Sequence, residues 1–219
     1  MAFVELDVEK LKANFDLLKE RFEEYEVEWG IVTKMLCGNK LYLQEVLNLG
    51  VKEIHDSRIS NLKAVKELDP TVQTVYIKPP AKRSIKNLVT YADVSLNTEM
   101  VTLKLINDEA KRQDKIHKVV IMIELGDLRE GVMGEKVVDF FRRVFELSNI
   151  EVVGLGSNLN CLHGVMPSPD KFIQLNLYKE LIKAHFDFEI PSISGGTSVV
   201  LPMLFRKQLH KSVNHFRIG

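Results

Sequence analysis

The sequence predicts an α/β fold, a closed (β/α)8 barrel of the TIM type. Three observations carry that expectation. Short β-like runs alternate with amphipathic helical stretches along the whole chain, the pattern of parallel strands joined by helical crossovers. There are eight such runs, the number a barrel needs. The length, 219 residues, suits one barrel. An open doubly wound sheet is the alternative with the same periodicity.

The elements follow in order. Residues 8–25 place Val8, Leu11, Phe15, Leu18 and Phe22 at spacings of three and four behind Asp7, an amphipathic helix with its N-cap. Strands are expected at 30–35, 53–56, 74–78, 94–97, 119–124, 152–157, 192–195 and 215–218. Helices are expected between them at 41–49, 59–68, 84–91, 98–112, 136–148, 169–186 and 199–208. Asp69-Pro70, Pro79-Pro80 and Pro167-Ser168-Pro169 punctuate the loops. No repeat or low-complexity linker interrupts the chain, so residues 1–219 read as a single domain.

Composition narrows the function classes. Thirty basic and 30 acidic side chains cancel, which leaves no nucleic-acid or anionic-membrane footprint. No stretch approaches the roughly 18 apolar residues of a transmembrane helix. The start, Met1 to Asp7, lacks a signal peptide's basic and apolar regions. Cys37 and Cys161 lie far apart and imply no disulfide framework. A cytoplasmic protein is expected. No Cys-x-x-Cys or His-Glu-x-x-His pattern occurs, so no metal is expected. His163 and Cys161 have no convincing ligand set, and Trp29 and the phenylalanines are assigned to packing. His55, beside Asp56, reads either as a proton carrier or as a packed histidine. There is no Walker loop, and Gly154-Leu155-Gly156-Ser157 is too loose for a nucleophile elbow.

In a barrel, function collects where strands end at their C-terminal side. Lys34 ends the apolar run that begins at Gly30. A lysine facing a protected pocket there would lose hydration, and its amine would become able to attack a carbonyl and form a Schiff base. It reads equally as a lysine that snorkels to solvent. Ser192-Ile193-Ser194-Gly195-Gly196-Thr197-Ser198 is a strand end, a glycine turn and hydroxyls at a helix start. That is either a phosphate cradle or an ordinary capped turn. Arg217, at the end of the last strand, aims a guanidinium into the mouth or frays into solvent. Arg129, in Glu124-Leu125-Gly126-Asp127-Leu128-Arg129-Glu130-Gly131, faces the site or makes a surface contact with Asp127 or Glu130.

Taken together, the motifs resemble the alanine racemase family of fold-type III pyridoxal-phosphate enzymes, and within it the ornithine racemase and related amino-acid racemase branch. The matching pieces are Val4-Glu5-Leu6-Asp7 followed by a helix with Asn14, Val32-Thr33-Lys34, the segment 124–131, Gly154-Leu155-Gly156-Ser157-Asn158-Leu159, Ser194-Gly195-Gly196-Thr197-Ser198 and Phe216-Arg217-Ile218-Gly219. They occur in the family's order and span almost the whole chain.

The resemblance implies pyridoxal 5'-phosphate as cofactor, carried as a Schiff base on Lys34, which also transfers the Cα proton. It implies that Arg217 hydrogen-bonds the pyridine nitrogen and keeps it unprotonated. Thr197, Ser198 and the backbone at Gly196 and Gly219 would hold the phosphate, and Arg129 would lie beside the cofactor or the substrate carboxylate. Asn158 would sit where alanine racemases stack a histidine on the ring. A small amino-acid substrate and a homodimer are implied as well.

Two departures shape the reading. Alanine racemases follow the lysine with an Ala-Tyr-Gly-His-Gly type sequence, whereas Met35-Leu36-Cys37-Gly38-Asn39 follows here, which favours another substrate. The family usually continues into a C-terminal β-domain whose tyrosine is the opposite-face base. These residues contain no such domain, so a barrel truncated at its C-terminal end is expected. Single-barrel pyridoxal-phosphate homeostasis proteins fit the length, and a non-catalytic carrier is the alternative function. Their His-Phe-Ile-Gly type strand is absent, however; Thr74-Val75-Tyr76-Ile77-Lys78 stands there. A third possibility is a barrel that binds another phosphorylated metabolite at 194–198.

Overall fold

The computed structural model describes residues 5–219, so Val4 of the opening motif lies outside the described residues. Strands β1 (Glu28–Val32), β2 (Glu53–Asp56), β3 (Gln73–Tyr76), β4 (Val94–Asn97), β5 (His117–Met122), β6 (Ile150–Gly156), β7 (Ser192–Thr197) and β8 (His215–Ile218) pair in sequence order. The last pairs with the first, in parallel, and closes the barrel. Helices α1 (Val8–Glu24), α2 (Lys40–Asn48), α3 (Ile59–Leu68), α4 (Ile85–Tyr91), α5 (Met100–Arg112), α6 (Val137–Val144), α7 (Pro169–Phe186) and α8 (Leu201–Phe205) lie between the strands or, for α1, ahead of them. The closed barrel therefore replaces the open sheet as the reading of the periodicity.

Alternation along each strand sorts the side chains. On β8, Phe216 joins the outer core while Arg217 lines the barrel's inner cavities. On β2, Ile54 packs outward with Leu43 and Val65 from α2 and α3, while Glu53 and His55 line the inner cavity. Inside, one half of the barrel is apolar, filled by Val75, Val94, Leu96, Val120 and Met122. The other half is polar and holds Glu53, His55, Ser194, His215 and Arg217.

Helix α1 begins at Asp7, whose carboxylate accepts from the Lys10 N–H at 3.0 Å. It buries Phe15 and Phe22 against Trp29 of β1, with Phe22 5.1 Å from Trp29 and 5.4 Å from Phe216 between ring centroids. This cluster covers the seam where β8 meets β1.

Several expected boundaries move. The first strand ends at Val32, because residues 34–36 turn into a 3-10 helix that leaves Cys37 at φ 52°. The last helix shrinks from 199–208 to Leu201–Phe205, since residues 198–200 form a 3-10 turn ahead of Pro202. Both changes sit at the C-terminal mouth, where backbone bends to form loops.

Candidate active site

The C-terminal ends of the strands surround a cleft of about 600 Å³. Lys34, Arg129, Asn158, Thr197, Ser198, Arg217 and Gly219 all line it, drawn from five separate strand ends. The eighth predicted residue, Gly196, is not among its lining residues. Its missing side chain is explained by packing, since a Cβ there would run into the Phe216 ring.

Lys34 follows β1, and its position is fixed from beneath. The Thr33 N–H donates to the His55 carbonyl at 2.9 Å, and the Thr33 hydroxyl donates to Asp56 Oδ2 at 3.2 Å. Asp56 is fully buried at 0 % exposure and also accepts from the Arg58 N–H and the Asn61 side-chain amide. The lysine itself is exposed to the cleft. Of the two readings the sequence left open, a dehydrated amine and a lysine that reaches solvent, the structure agrees with the second, because the strand stops two residues short of Lys34.

Arg217 is the most constrained group of the set. Its Nη1 donates to the Ser194 carbonyl at 3.0 Å and to the Ser194 hydroxyl. Its Nη2 donates to the Ser157 carbonyl at 2.8 Å and to Asn158 Oδ1 at 2.9 Å. Burial pulls the guanidinium down to about 10, which still leaves it charged at neutral pH. The frayed C-terminal arginine is thereby excluded. A register shift between Ser194 and Gly196 sets Thr197 beside Arg217 on the neighbouring strand.

The hydroxyl-rich turn and the last residue are joined directly. The Ser198 hydroxyl donates to the Gly219 carbonyl at 2.9 Å, and the Gly219 N–H donates back to Ser198 Oγ at 3.3 Å. A Cβ on Gly219 would fall 2.7 Å from Val32 Cβ, so glycine lets this turn approach the strand that carries Lys34.

Arg129 does reach the cleft, with Nη1 2.8 Å from Cys161 Sγ and Nε 3.6 Å from Glu130. Asp127 does not pair with it. Asp127 accepts backbone N–H groups from Cys161, Leu162, His163 and Val165, pinning the loop after β6 to the loop after β5. These bonds hold its carboxyl below the usual carboxylate range.

Sequence reasoning missed Glu130, which accepts from the Asn158 amide and so completes a chain to Arg217. It also missed Lys78 and Cys161 in the cleft wall. Lys78 carried a signal, since it ends an expected strand.

The donor set suits an aromatic aldehyde that carries a phosphate. An amine faces the cleft, a charged guanidinium lies at its floor, and hydroxyls sit at its rim. Ser157 Oγ and Asn97 Oδ1, at the ends of β6 and β4, are buried with no hydrogen-bond partner. Neither is among the residues that line the cleft.

Residues 6–219 match the model of the alanine racemase N-terminal domain. The chain belongs to that family. Ornithine racemase of Acetoanaerobium sticklandii is 33% identical over 217 residues, which cover 99% of this chain and 61% of that protein. Lysine racemase of Thermotoga maritima is 25% identical over 214 residues, 98% of this chain and 60% of that protein. The chain thus spans about three fifths of the length of these curated relatives. Among solved structures, PipY of Synechococcus elongatus with PLP bound superposes with a TM-score of 0.74 at 15% identity, covering 89% of this chain and 91% of that one. That likeness shows the shared alanine racemase barrel alone.

Proposed function

We infer that the chain is the cofactor-binding barrel of an amino-acid racemase of the ornithine racemase type. The cofactor is pyridoxal 5'-phosphate, as family membership indicates. The observation that carries the reading is convergence. Lys34, Arg217 and the Ser198–Gly219 turn, remote in sequence, meet around one cleft.

Lys34 presents the amine to which the cofactor's aldehyde attaches. When bound, the cofactor supplies an electron sink that acidifies the substrate's Cα–H. Lys34 would hold the cofactor and serve as the base that takes that proton and returns it. Arg217 would hydrogen-bond the ring nitrogen, and its own charge would keep a proton off it. Its four anchoring contacts hold it in that role without reorganisation. Thr197, Ser198 and the backbone at Gly196 and Gly219 would hold the phosphate. Arg129 would lie beside the cofactor or the substrate carboxylate, and Asn158 would lie by the ring. The substrate is a small amino acid, with ornithine first, and two copies of the protein associate.

The test supplies the protein with pyridoxal phosphate and L-ornithine, L-lysine, L-alanine and L-serine in turn, and follows loss of optical activity. Ornithine is expected to racemise fastest. Cofactor attachment with no racemisation of any of the four would favour the carrier reading instead.

A further inference from the structure

The polar half of the barrel continues below Arg217, away from the cleft. Glu53 and His55 enter it from β2, and His215 enters from β8. One potential ligand atom from each lies within 4.8 Å of the other two. Glu53 Oε1 is 2.9 Å from His215 Nε2 and also touches His55 Nε2. All three side chains are largely withdrawn from water, at 14%, 1% and 15% exposure for Glu53, His55 and His215.

Three further observations describe the site. Gly30 on β1, the strand between β2 and β8, lets the His55 ring lie close against that strand; a Cβ there would meet the ring and fall 2.9 Å from Glu53 Oε1. His55 Nδ1 is buried with no partner, so the ring is held by its Nε2 contact with Glu53, the contact an ion would replace. A second cavity of about 360 Å³ opens from the cluster toward the N-terminal side of the barrel and offers an entry path.

We propose that Glu53, His55 and His215 bind a divalent transition-metal ion of the Zn²⁺ class at the N-terminal end of the barrel. Two imidazoles and one carboxylate form a donor set suited to Zn²⁺, whereas Mg²⁺ and Ca²⁺ favour all-oxygen shells. The ion takes the two Nε2 lone pairs and one Glu53 oxygen, with its remaining position facing the cavity. Each imidazole moves its proton from Nε2 to Nδ1. For His215 that proton is received by Ser194 Oγ, 2.7 Å away, which orients the ring as an outer partner.

Two features weaken the site without removing it. The ion displaces hydrogen bonds that the three groups make among themselves, and Lys52, Lys118 and Arg217 line the same cavity with positive charge. Affinity is therefore expected in the micromolar range rather than the nanomolar. Bound, the ion would tie β2 to β8 across β1.

The site does not rest on the racemase reading, because cofactor attachment at Lys34 is read separately. Metal-stripped protein is titrated with ZnCl₂ by calorimetry and with CoCl₂ by visible absorption. One ion per chain is expected, with a raised melting temperature and Co²⁺ bands typical of nitrogen and oxygen ligands. Glu53→Gln and His215→Ala are each expected to weaken binding at least tenfold. The double variant Cys37→Ser, Cys161→Ser, which removes the exposed thiols, should bind as the parent does. Failure of the unmodified protein to bind one ion would overturn the proposal, whatever the variants do. Undiminished binding in folded Glu53→Gln and His215→Ala would overturn it too.

Discussion

Asp56 holds the key lysine in place without touching it. Replacing it with alanine leaves the buried Asn61 amide without its carboxylate, removes the acceptor of the Arg58 N–H, and leaves the buried Thr33 hydroxyl only a 3.4 Å contact with the His55 carbonyl. Asp56→Ala is expected to cost about 2–4 kcal/mol, read by urea denaturation. Cofactor attachment should slow as well, since the turn that carries Lys34 loses its anchor. His117 makes a second prediction. Burial lowers it to about 4 from an ordinary 6.5, and Ser95 Oγ lies 2.9 Å from its Nε2. The unfolded chain therefore binds this proton near pH 6.5 and the folded chain only near pH 4. Stability should rise with pH across that window and be lost as pH falls through it, by up to about 3 kcal/mol. His117→Asn should flatten that part of the profile. An unchanged profile would mean that another group carries it.

Among the elements, the aromatic packing of α1 onto β1 and β8 is a seam that can be tested by truncation. Phe22 is 1% exposed and touches both Trp29 and Phe216, so Phe22→Ala should cost about 3–5 kcal/mol in chemical denaturation. The loop after β5 depends on glycine. Gly131 sits at φ +156°, and a Cβ there would fall 2.6 Å from Glu124 Cα. Gly131→Ala should cost about 1–3 kcal/mol and shift Arg129 and Glu130, raising the concentration of cofactor needed for half-saturation. Periodicity located strands such as 53–56, 94–97 and 215–218 to the residue, because clear turn signals bound them. It overran at 34–35, where Lys34-Met35-Leu36 looks like a strand and forms a 3-10 turn. A short apolar run does not say when the backbone bends; the Thr33–Asp56 contact that fixes the bend comes from the next strand.

Across the whole molecule, the upper site was readable because each of its groups sits in its own recognisable motif at a strand's C-terminal end. The polar cluster at the other end was not. No metal was expected from the sequence, since Glu53 and His215 stand 162 positions apart and no spacing rule joins them. Only barrel closure, which pairs β8 with β1 and β1 with β2, makes them neighbours. Glu130 escaped notice for the same reason, as its partner Asn158 comes from the following strand. Among the described residues no helix is long and apolar enough to cross a membrane. Cofactor binding should stabilise the folded barrel by about 2.7 kcal/mol at a hundredfold excess over its dissociation constant. A thermal melt should show that gain, and show it much reduced in Lys34→Ala.

The most direct measurement is borohydride reduction of the protein mixed with pyridoxal phosphate, followed by peptide mapping. The label is expected on Lys34 and to vanish in Lys34→Ala. A label on Lys78, which lines the same cleft, or no covalent label at all, would contradict the account.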